Sequence, residues 1–409
     1  MEAGLPSEVE EAPFAETSTN TFASGRITLK HWLAVMSIAV VSFMMVTTEY
    51  LPVGLIPSMA ADLGVTHGVA GLTVTVPALV AAFGALLVSV LASRFDRRIV
   101  LTGLTVMLVA ANAIAVLAPS FAVLVAGRVL VGVALGGFWT IGIAVGPRLM
   151  PEPTGTRGTT VIFSGISLGT IAGVPAGTLI GDLLGWRAAF GAAGAVTVVA
   201  LVALAVFVPP LPANHRTRWR DLPALLSVSQ ARLGLLLAAL TFGGVFFAYP
   251  YIAPFLAIVS GMGPAGINVM LLVFGGAGFF GNIIGGWMAG RSNRLAMAVT
   301  SITLATPVFL LAAYGESKAL TSLLVCIWGL AYGALSITCQ SWVARAAPGE
   351  IERGAALFVA TIEIAVAFGA WIGGEVVDTL GVATTMIVSG AVVMLATPLS
   401  LVFGRLPRR

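Results

Sequence analysis

Charge is the first thing this 409-residue chain lacks. Only 9% of its residues are Asp, Glu, Lys or Arg, against 58% that are apolar, whereas about a quarter of a soluble domain is charged. So few polar residues cannot coat a water-soluble particle, and a lipid bilayer is the expected surrounding. Cysteine is nearly absent as well. Cys326 and Cys339 fall in one apolar stretch and offer neither a disulfide framework nor metal-ligand spacing. The three histidines, His31, His67 and His215, are scattered, which leaves no material for a metal centre or histidine catalysis. No HExxH occurs. An enzyme is therefore not expected, and no cofactor or metal. A basic stretch followed by a short apolar run is also missing from the start. Residues 1–27 are polar, carry Glu2, Glu8, Glu10, Glu11 and Glu16, and read as a disordered cytoplasmic tail.

What the chain has instead is apolar length. Runs of about 20 residues, each enough to cross a bilayer, fall at 31–57, 68–92, 99–118, 121–145, 158–183, 188–209, 233–258, 264–289, 295–314, 318–344, 354–377 and 382–404. Continuous runs of this length are helices, because a spanning segment must satisfy its own backbone hydrogen bonds. Basic residues set the orientation. With the amino terminus inside, every Lys and Arg except Arg128, Arg187 and Lys318 falls on the cytoplasmic side, as the excess of positive charge in cytoplasmic loops requires. Both termini are then cytoplasmic. The net charge of +4 is explained without nucleic acid.

The longest polar break, PPLPANHRTRWRDLPALLSVSQAR (209–232), divides the spans six and six. The halves repeat one another. GVPAGTLIGDLLGWRAAF (173–190) aligns with GAWIGGEVVDTLGVATTM (369–386), so that Gly173, Gly177, Asp182 and Gly185 fall on Gly369, Gly373, Asp378 and Gly381. The expected fold is an all-α membrane protein of twelve transmembrane helices in two pseudo-symmetric six-helix bundles. A tail (1–27) precedes an N-terminal bundle (28–209), a cytoplasmic linker (210–232) and a C-terminal bundle (233–409). Parallel repeats of this kind are a transporter architecture with its site near the midplane.

GTIAGVPAGTLIGDLLGWRAAF (169–190) resembles the span-5 antiporter motif of the major facilitator superfamily, through Gly169, Gly173, Pro175, Gly177, Trp186 and Arg187. VAGRVLVGVALGGFW (125–139) resembles the span-4 motif whose arginine, here Arg128, is implicated in proton coupling. LGGFWTIG (135–142), SWVARAAPGE (341–350) and ATIEIAVAFGAWIGGEVVD (360–378) look most like bacterial purine ribonucleoside efflux pumps, close to sugar exporters. The resemblance implies a major facilitator fold in a bacterial inner membrane and a proton-coupled exporter of a small molecule, expected as a monomer. Purine ribonucleosides such as inosine come first among substrates, with cationic or amphiphilic drugs or sugars as the alternative. In the loop after span 2 the family has an aspartate followed by Arg-x-Gly-Arg-Arg. This chain has Ser93, Arg94, Phe95, Asp96, Arg97 and Arg98. The cytoplasmic gate is expected at Arg94, Asp96, Arg97 and Arg98, with Asp96 standing in for the displaced carboxylate.

Charges within spans are costly and mark ion pathways or partners. Glu49 and Arg128 lie at matched depth in spans 1 and 4, so they are expected either to form a register-fixing pair or to carry the proton. Glu363 lies near the middle of span 11 and is the third coupling candidate, where the resemblance implies an amide. Candidates to stack on a flat base are Tyr50, Trp139, Tyr249, Tyr251 and Trp342, each also readable as packing or as part of the interfacial aromatic belt. Asn282 and Gln340 are candidates to hydrogen-bond to it.

Overall fold

A computed structural model of the chain describes residues 27–91, 95–151, 155–212, 227–346 and 351–404. The expected tail (1–27), except its last residue, lies outside these residues. So do Arg94 and most of the 210–232 linker. Among the described residues the chain is helical and contains twelve apolar helices long enough to cross a membrane. They are α1 (Leu29–Leu63), α2 (His67–Ala85), α3 (Arg97–Leu117), α4 (Phe121–Gly142), α5 (Arg157–Leu184), α6 (Trp186–Phe207), α7 (Ser229–Ile258), α8 (Pro264–Arg291), α9 (Asn293–Tyr314), α10 (Lys318–Ala346), α11 (Leu357–Leu380) and α12 (Val382–Phe403). The first helix runs past the expected end at 57, keeping Pro52 and Pro57 inside it. Glu49 therefore sits near its middle.

The two six-helix bundles use the same pairings. In the first, α1 packs on α5 and α6, α2 on α4, and α3 on α4 and α6. In the second, α7 packs on α11 and α12, α8 on α10, and α9 on α10 and α12. The bundles meet through α2 against α11 and α5 against α8. The apolar core forms two clusters, one within the first bundle around Met44, Leu104, Phe138 and Phe190, the other around Phe246, Phe255, Trp328 and Trp342 of the second and reaching Val53, Ile56, Ala70 and Val74 of the first.

Glycine rows make the close pairings, since lipid tails are as apolar as leucine and helices associate through close backbone contact. Along α5, Gly165, Gly169, Gly173, Gly177 and Gly181 recur every fourth residue. A methyl group at any of them would strike α1, at Ala39, Phe43, Thr47, Leu51 and Leu55 in turn. In the second bundle Gly369 and Gly373 lie on α7 at Gly243 and Phe247. Gly173 and Gly369 are repeat partners, one lying on α1 and the other on α7. The sequence repeat is therefore a repeat of contacts. Pro175 cannot donate to the carbonyl four residues back, and α5 widens to one π-helical turn at Gly169–Gly173 beside it. The turns after α5 and α11 each need one residue with positive φ. Gly185 (φ 89°) and Gly381 (φ 88°) supply it at equivalent places.

Call the surface bearing the chain ends the termini face. The opposite face is closed. Asp378, near the end of α11, accepts hydrogen bonds from Thr66 Oγ1 (2.5 Å) and the Gly68 amide (3.0 Å) at the start of α2. Asp182, near the end of α5, accepts one from Asn268 Nδ2 of α8 (2.6 Å). Asp62, ending α1, pairs with Arg187 (2.5 Å) and accepts from the Trp186 indole (3.1 Å), which fixes the turn carrying the GWR sequence. On the termini face Asp96 caps α3 by accepting from the Arg98 amide (2.8 Å). Arg98 donates to the Ala205 carbonyl. Both contacts stay within the first bundle.

The tightest seam is between α8 and α10, where a methyl group on Gly281 would meet the Leu330 backbone. Backbone cannot step aside, so Gly281→Ala should destabilise the protein by about 1–3 kcal/mol. Gly276→Ala, on the same helix facing open space, should be neutral or slightly stabilising through helix propensity. Thermal unfolding of the two purified variants checks this, and equal melting temperatures would remove the seam from the account.

Candidate functional site

A cavity of about 500 Å³ lies between the bundles, within the usual range for small-molecule sites of about 300–1,000 Å³. It is built from the middle of α1 (Glu49, Tyr50), the termini-side end of α4 (Trp139), and the termini-side halves of α5, α8, α10 and α11. The cavity therefore runs from mid-membrane towards the termini face, while the opposite face is held shut.

Its walls have two chemistries. Tyr50, Trp139, Phe242, Phe274 and Tyr332 present rings, while Glu49, Glu363, Asn282, Gln340, Ser336 and Thr170 present polar groups. No Lys, Arg or His is among the described lining residues. Glu49 is 3% exposed and Glu363 7%, and both line the cavity. Oε2 of Glu363 has no hydrogen-bond partner among the described residues.

Arg128 is buried at the same depth, but it does not form an ion pair with the Glu49 carboxylate. Its three nitrogens donate to backbone carbonyls: Nε to Thr73 (2.7 Å), Nη1 to Thr48 (2.7 Å) and Nη2 to Glu49 (2.7 Å). The reason is local sequence. A helical carbonyl is normally taken by the amide four residues on. For Thr48 that residue is Pro52, and for Thr73 it is Pro77, neither of which has an N–H. Two carbonyls orphaned in the membrane are thus satisfied by one guanidinium, whose planar fork suits several acceptors at once. The sequence expectation of a Glu49–Arg128 pair is corrected in this sense: the two residues touch through the Glu49 backbone, and the carboxylate is left on the cavity wall.

The other sequence candidates divide cleanly. Tyr50, Trp139, Asn282, Gln340, Glu49 and Glu363 all line the cavity. Three aromatics do not. Tyr249 stands behind the wall, stacked on Phe274 (centroids 4.8 Å) and Tyr332 (6.0 Å), and so stiffens both rings. Tyr251 is fully buried and donates to the Ala370 carbonyl (2.6 Å), packing over Gly71 of the other bundle. Trp342 is fully buried, donates to the Gln230 carbonyl (3.1 Å) and fills the space beside Gly234. Gly169, Gly173, Pro175 and Gly177 shape α5 and stay off the cavity wall. Sequence reading missed Phe274 and Tyr332, although a signal existed. They precede Asn282 and Gln340 by eight residues, which places them on the same helix faces two turns away.

Comparison with known proteins adds the following. A family model described as Major Facilitator Superfamily matches residues 38–361. The purine ribonucleoside efflux pump NepI of Escherichia coli O6:K15:H31 is 33% identical over 369 residues, 90% of this chain and 93% of that protein. Its namesake from Salmonella paratyphi A is 31% identical over 380 residues, 93% of this chain and 96% of that protein. Among solved structures, a bacterial homologue of the human lysosomal transporter Spinster, captured inward-facing and unoccupied, superposes with a TM-score of 0.75 at 12% identity, covering 92% of this chain and 97% of its own. A POT family transporter in complex with 5-aminolevulinic acid gives 0.75 at 14% identity, covering 91% and 96%.

The arginine clamp is open to a direct test. Arg128→Ala should cost about 2–4 kcal/mol by leaving buried carbonyls unpaired. Adding Pro52→Ala and Pro77→Ala returns an amide donor to Thr48 and Thr73, so the triple variant should recover at least ~1 kcal/mol of that loss. Thermal unfolding across the cycle measures it, and strictly additive losses would show that the prolines and the arginine are unconnected.

Proposed function

Because the chain belongs to the major facilitator superfamily and is a twelve-span membrane transporter, we propose that it is a proton-coupled exporter of purine ribonucleosides, working by alternating access in a bacterial inner membrane. The observation that carries this reading is the central cavity: flat rings on several walls, amides towards its mouth, and two buried carboxylates on opposite bundles. Rings grip the faces of a base, and amides serve the edges and ribose hydroxyls. The relatives named as purine ribonucleoside efflux pumps support the same substrate class. The 28–209 and 233–409 halves are the bodies that rock about the site, and 210–232 is the cytoplasmic tether. The chain works as a monomer.

Orientation follows from the basic residues. With the termini face in the cytoplasm, the cavity is open to the interior, where an exporter collects its substrate.

Coupling follows from charge. Arg128 contributes one buried positive charge, with its donors committed to carbonyls. Glu49 and Glu363 would contribute two negative charges when ionised. A buried site with an uncompensated negative charge is costly, and like charges facing one another resist ionising together. One proton settles the account, and it resides on Glu49 or Glu363. Glu49 belongs to the first bundle and Glu363 to the second, so closing the cavity around nothing brings the carboxylates together and requires that proton. Arg128 acts in coupling by positioning α1 and α2. The acidic walls also favour the second reading, a cationic amphiphile as substrate, since a cation could replace the proton.

Proteoliposomes with an imposed proton gradient should move radiolabelled inosine against its concentration. Glu49→Gln, which cannot ionise, should lose gradient-driven accumulation while retaining exchange of inosine for inosine. Accumulation that persists in Glu49→Gln would move the proton to Glu363. Absence of any inosine flux from folded protein would reject the nucleoside in favour of cationic drugs or sugars.

A further inference from the structure

Purine nucleosides differ chiefly along one edge of the base. A 2-amino-6-oxopurine offers two N–H donors side by side. A 6-oxopurine offers one beside a C–H, and a 6-aminopurine offers a donor beside an acceptor. The cavity holds one group suited to tell these apart. Glu363 is more than nine-tenths buried, lines the cavity, and has an oxygen with no hydrogen-bond partner among the described residues. An ionised carboxylate only accepts, through two parallel oxygens, which matches the paired donors and repels the donor–acceptor edge. Tyr50 and Tyr332 line the same cavity and offer rings to hold the base plane. Without a cationic side chain among the described lining residues, nothing is present to neutralise a phosphate.

Resting on the nucleoside reading above, we infer that Glu363 reads the base edge, so that the transporter prefers 2-amino-6-oxopurine nucleosides to 6-oxo and 6-amino ones and rejects nucleotides. A buried polar group built to bond a ligand discriminates strongly against ligands that leave it unpaired.

The test is counterflow of labelled guanosine in proteoliposomes, competed by unlabelled guanosine, inosine, adenosine and guanosine monophosphate. For the wild type, guanosine should compete about tenfold better than inosine, the worth of one added charge-assisted hydrogen bond. Adenosine should be weaker still, and the nucleotide inert. In Glu363→Gln, whose amide offers one acceptor and one donor, guanosine and inosine should come within about twofold of each other. Glu363→Asp, which keeps the carboxylate, should preserve the order. Equal competition by guanosine and inosine in the wild type, or a preference unchanged in folded Glu363→Gln, overturns the assignment and leaves the nucleoside reading standing. No counterflow of any nucleoside overturns both. The wild-type ranking decides even if a variant fails to fold.

A second inference stands on different observations. Asp182 and Asp378 hold the same place in the two repeats, and each reaches across to the opposite bundle, Asp182 to Asn268 and Asp378 to Thr66 and Gly68. The geometry points to a duplicated latch that keeps the face opposite the termini shut and must open on both sides for release there. A cysteine at Ser336, in a chain with Cys326 and Cys339 replaced, can be titrated with a membrane-impermeant thiol reagent applied to that face. Asp182→Ala and Asp378→Ala should each speed labelling several-fold, and the double variant more. Rates that stay at the wild-type level in both would overturn the latch.

Discussion

The bilayer core supplies no water to hydrogen-bond an exposed carbonyl, so each break in a helix must be repaired by protein. The interaction on which this structure turns is such a repair. Pro52 and Pro77 free the carbonyls of Thr48 and Thr73 in adjacent helices, and the Arg128 guanidinium takes both, together with that of Glu49. One side chain thereby ties α4 to α1 and α2 at the level of the cavity. Glu49 and Tyr50 reach the cavity from the turn that Arg128 holds. A buried charge satisfied by carbonyl dipoles needs no carboxylate partner, and this frees Glu49 for chemistry.

The rest of the frame is made of glycine. Rows along α5 and α11 bring these helices onto α1 and α7, and a tighter seam joins α8 to α10. The helices that form the bundle-to-bundle contacts, α2 with α11 and α5 with α8, are each carried by a glycine-lined partner in their own bundle. Rigid pairs of this kind move as units, which concentrates any change of shape at the seam between the bundles. At the closed face its hydrogen bonds come from two aspartates, Asn268, Thr66 and a backbone amide. Several lie at the solvent-exposed edge, where a hydrogen bond is readily exchanged for water.

Much of this was legible in the sequence, for physical reasons that separate what was read from what was not. Apolar length and the placement of arginine depend on the bilayer alone, so the twelve spans could be read directly. The match of Gly173 with Gly369 and of Gly185 with Gly381 marked backbone contacts and positive φ that only glycine serves, and these survive as geometry. Side-chain direction was another matter. Tyr249, Tyr251 and Trp342 carry the same kind of rings as Tyr50 and Trp139, yet helix rotation turns three of them into the packing and leaves two on the cavity wall. Matched depth put Arg128 beside α1 correctly, but depth does not tell a carboxylate from a carbonyl. The prolines did tell, once read as missing donors instead of as bends.

The distribution of charge around the cavity then constrains how the machine can run. All of its formal positive charge is in Arg128 and is bound to immobile backbone. All of its negative charge is on two side chains, one in each moving body. Rearranging the bundles therefore changes the distance between like charges while the positive charge stays fixed to the first. In the coupling proposed above, the empty cavity with both carboxylates ionised is favoured open, where water solvates them, and a protonated one is free to close. A ligand that donates hydrogen bonds to Glu363 lowers the cost of ionisation there without adding charge, and so competes with the proton for the same oxygens. The proposed exchange of one for the other rests on the placement of these groups, with no need for a separate relay.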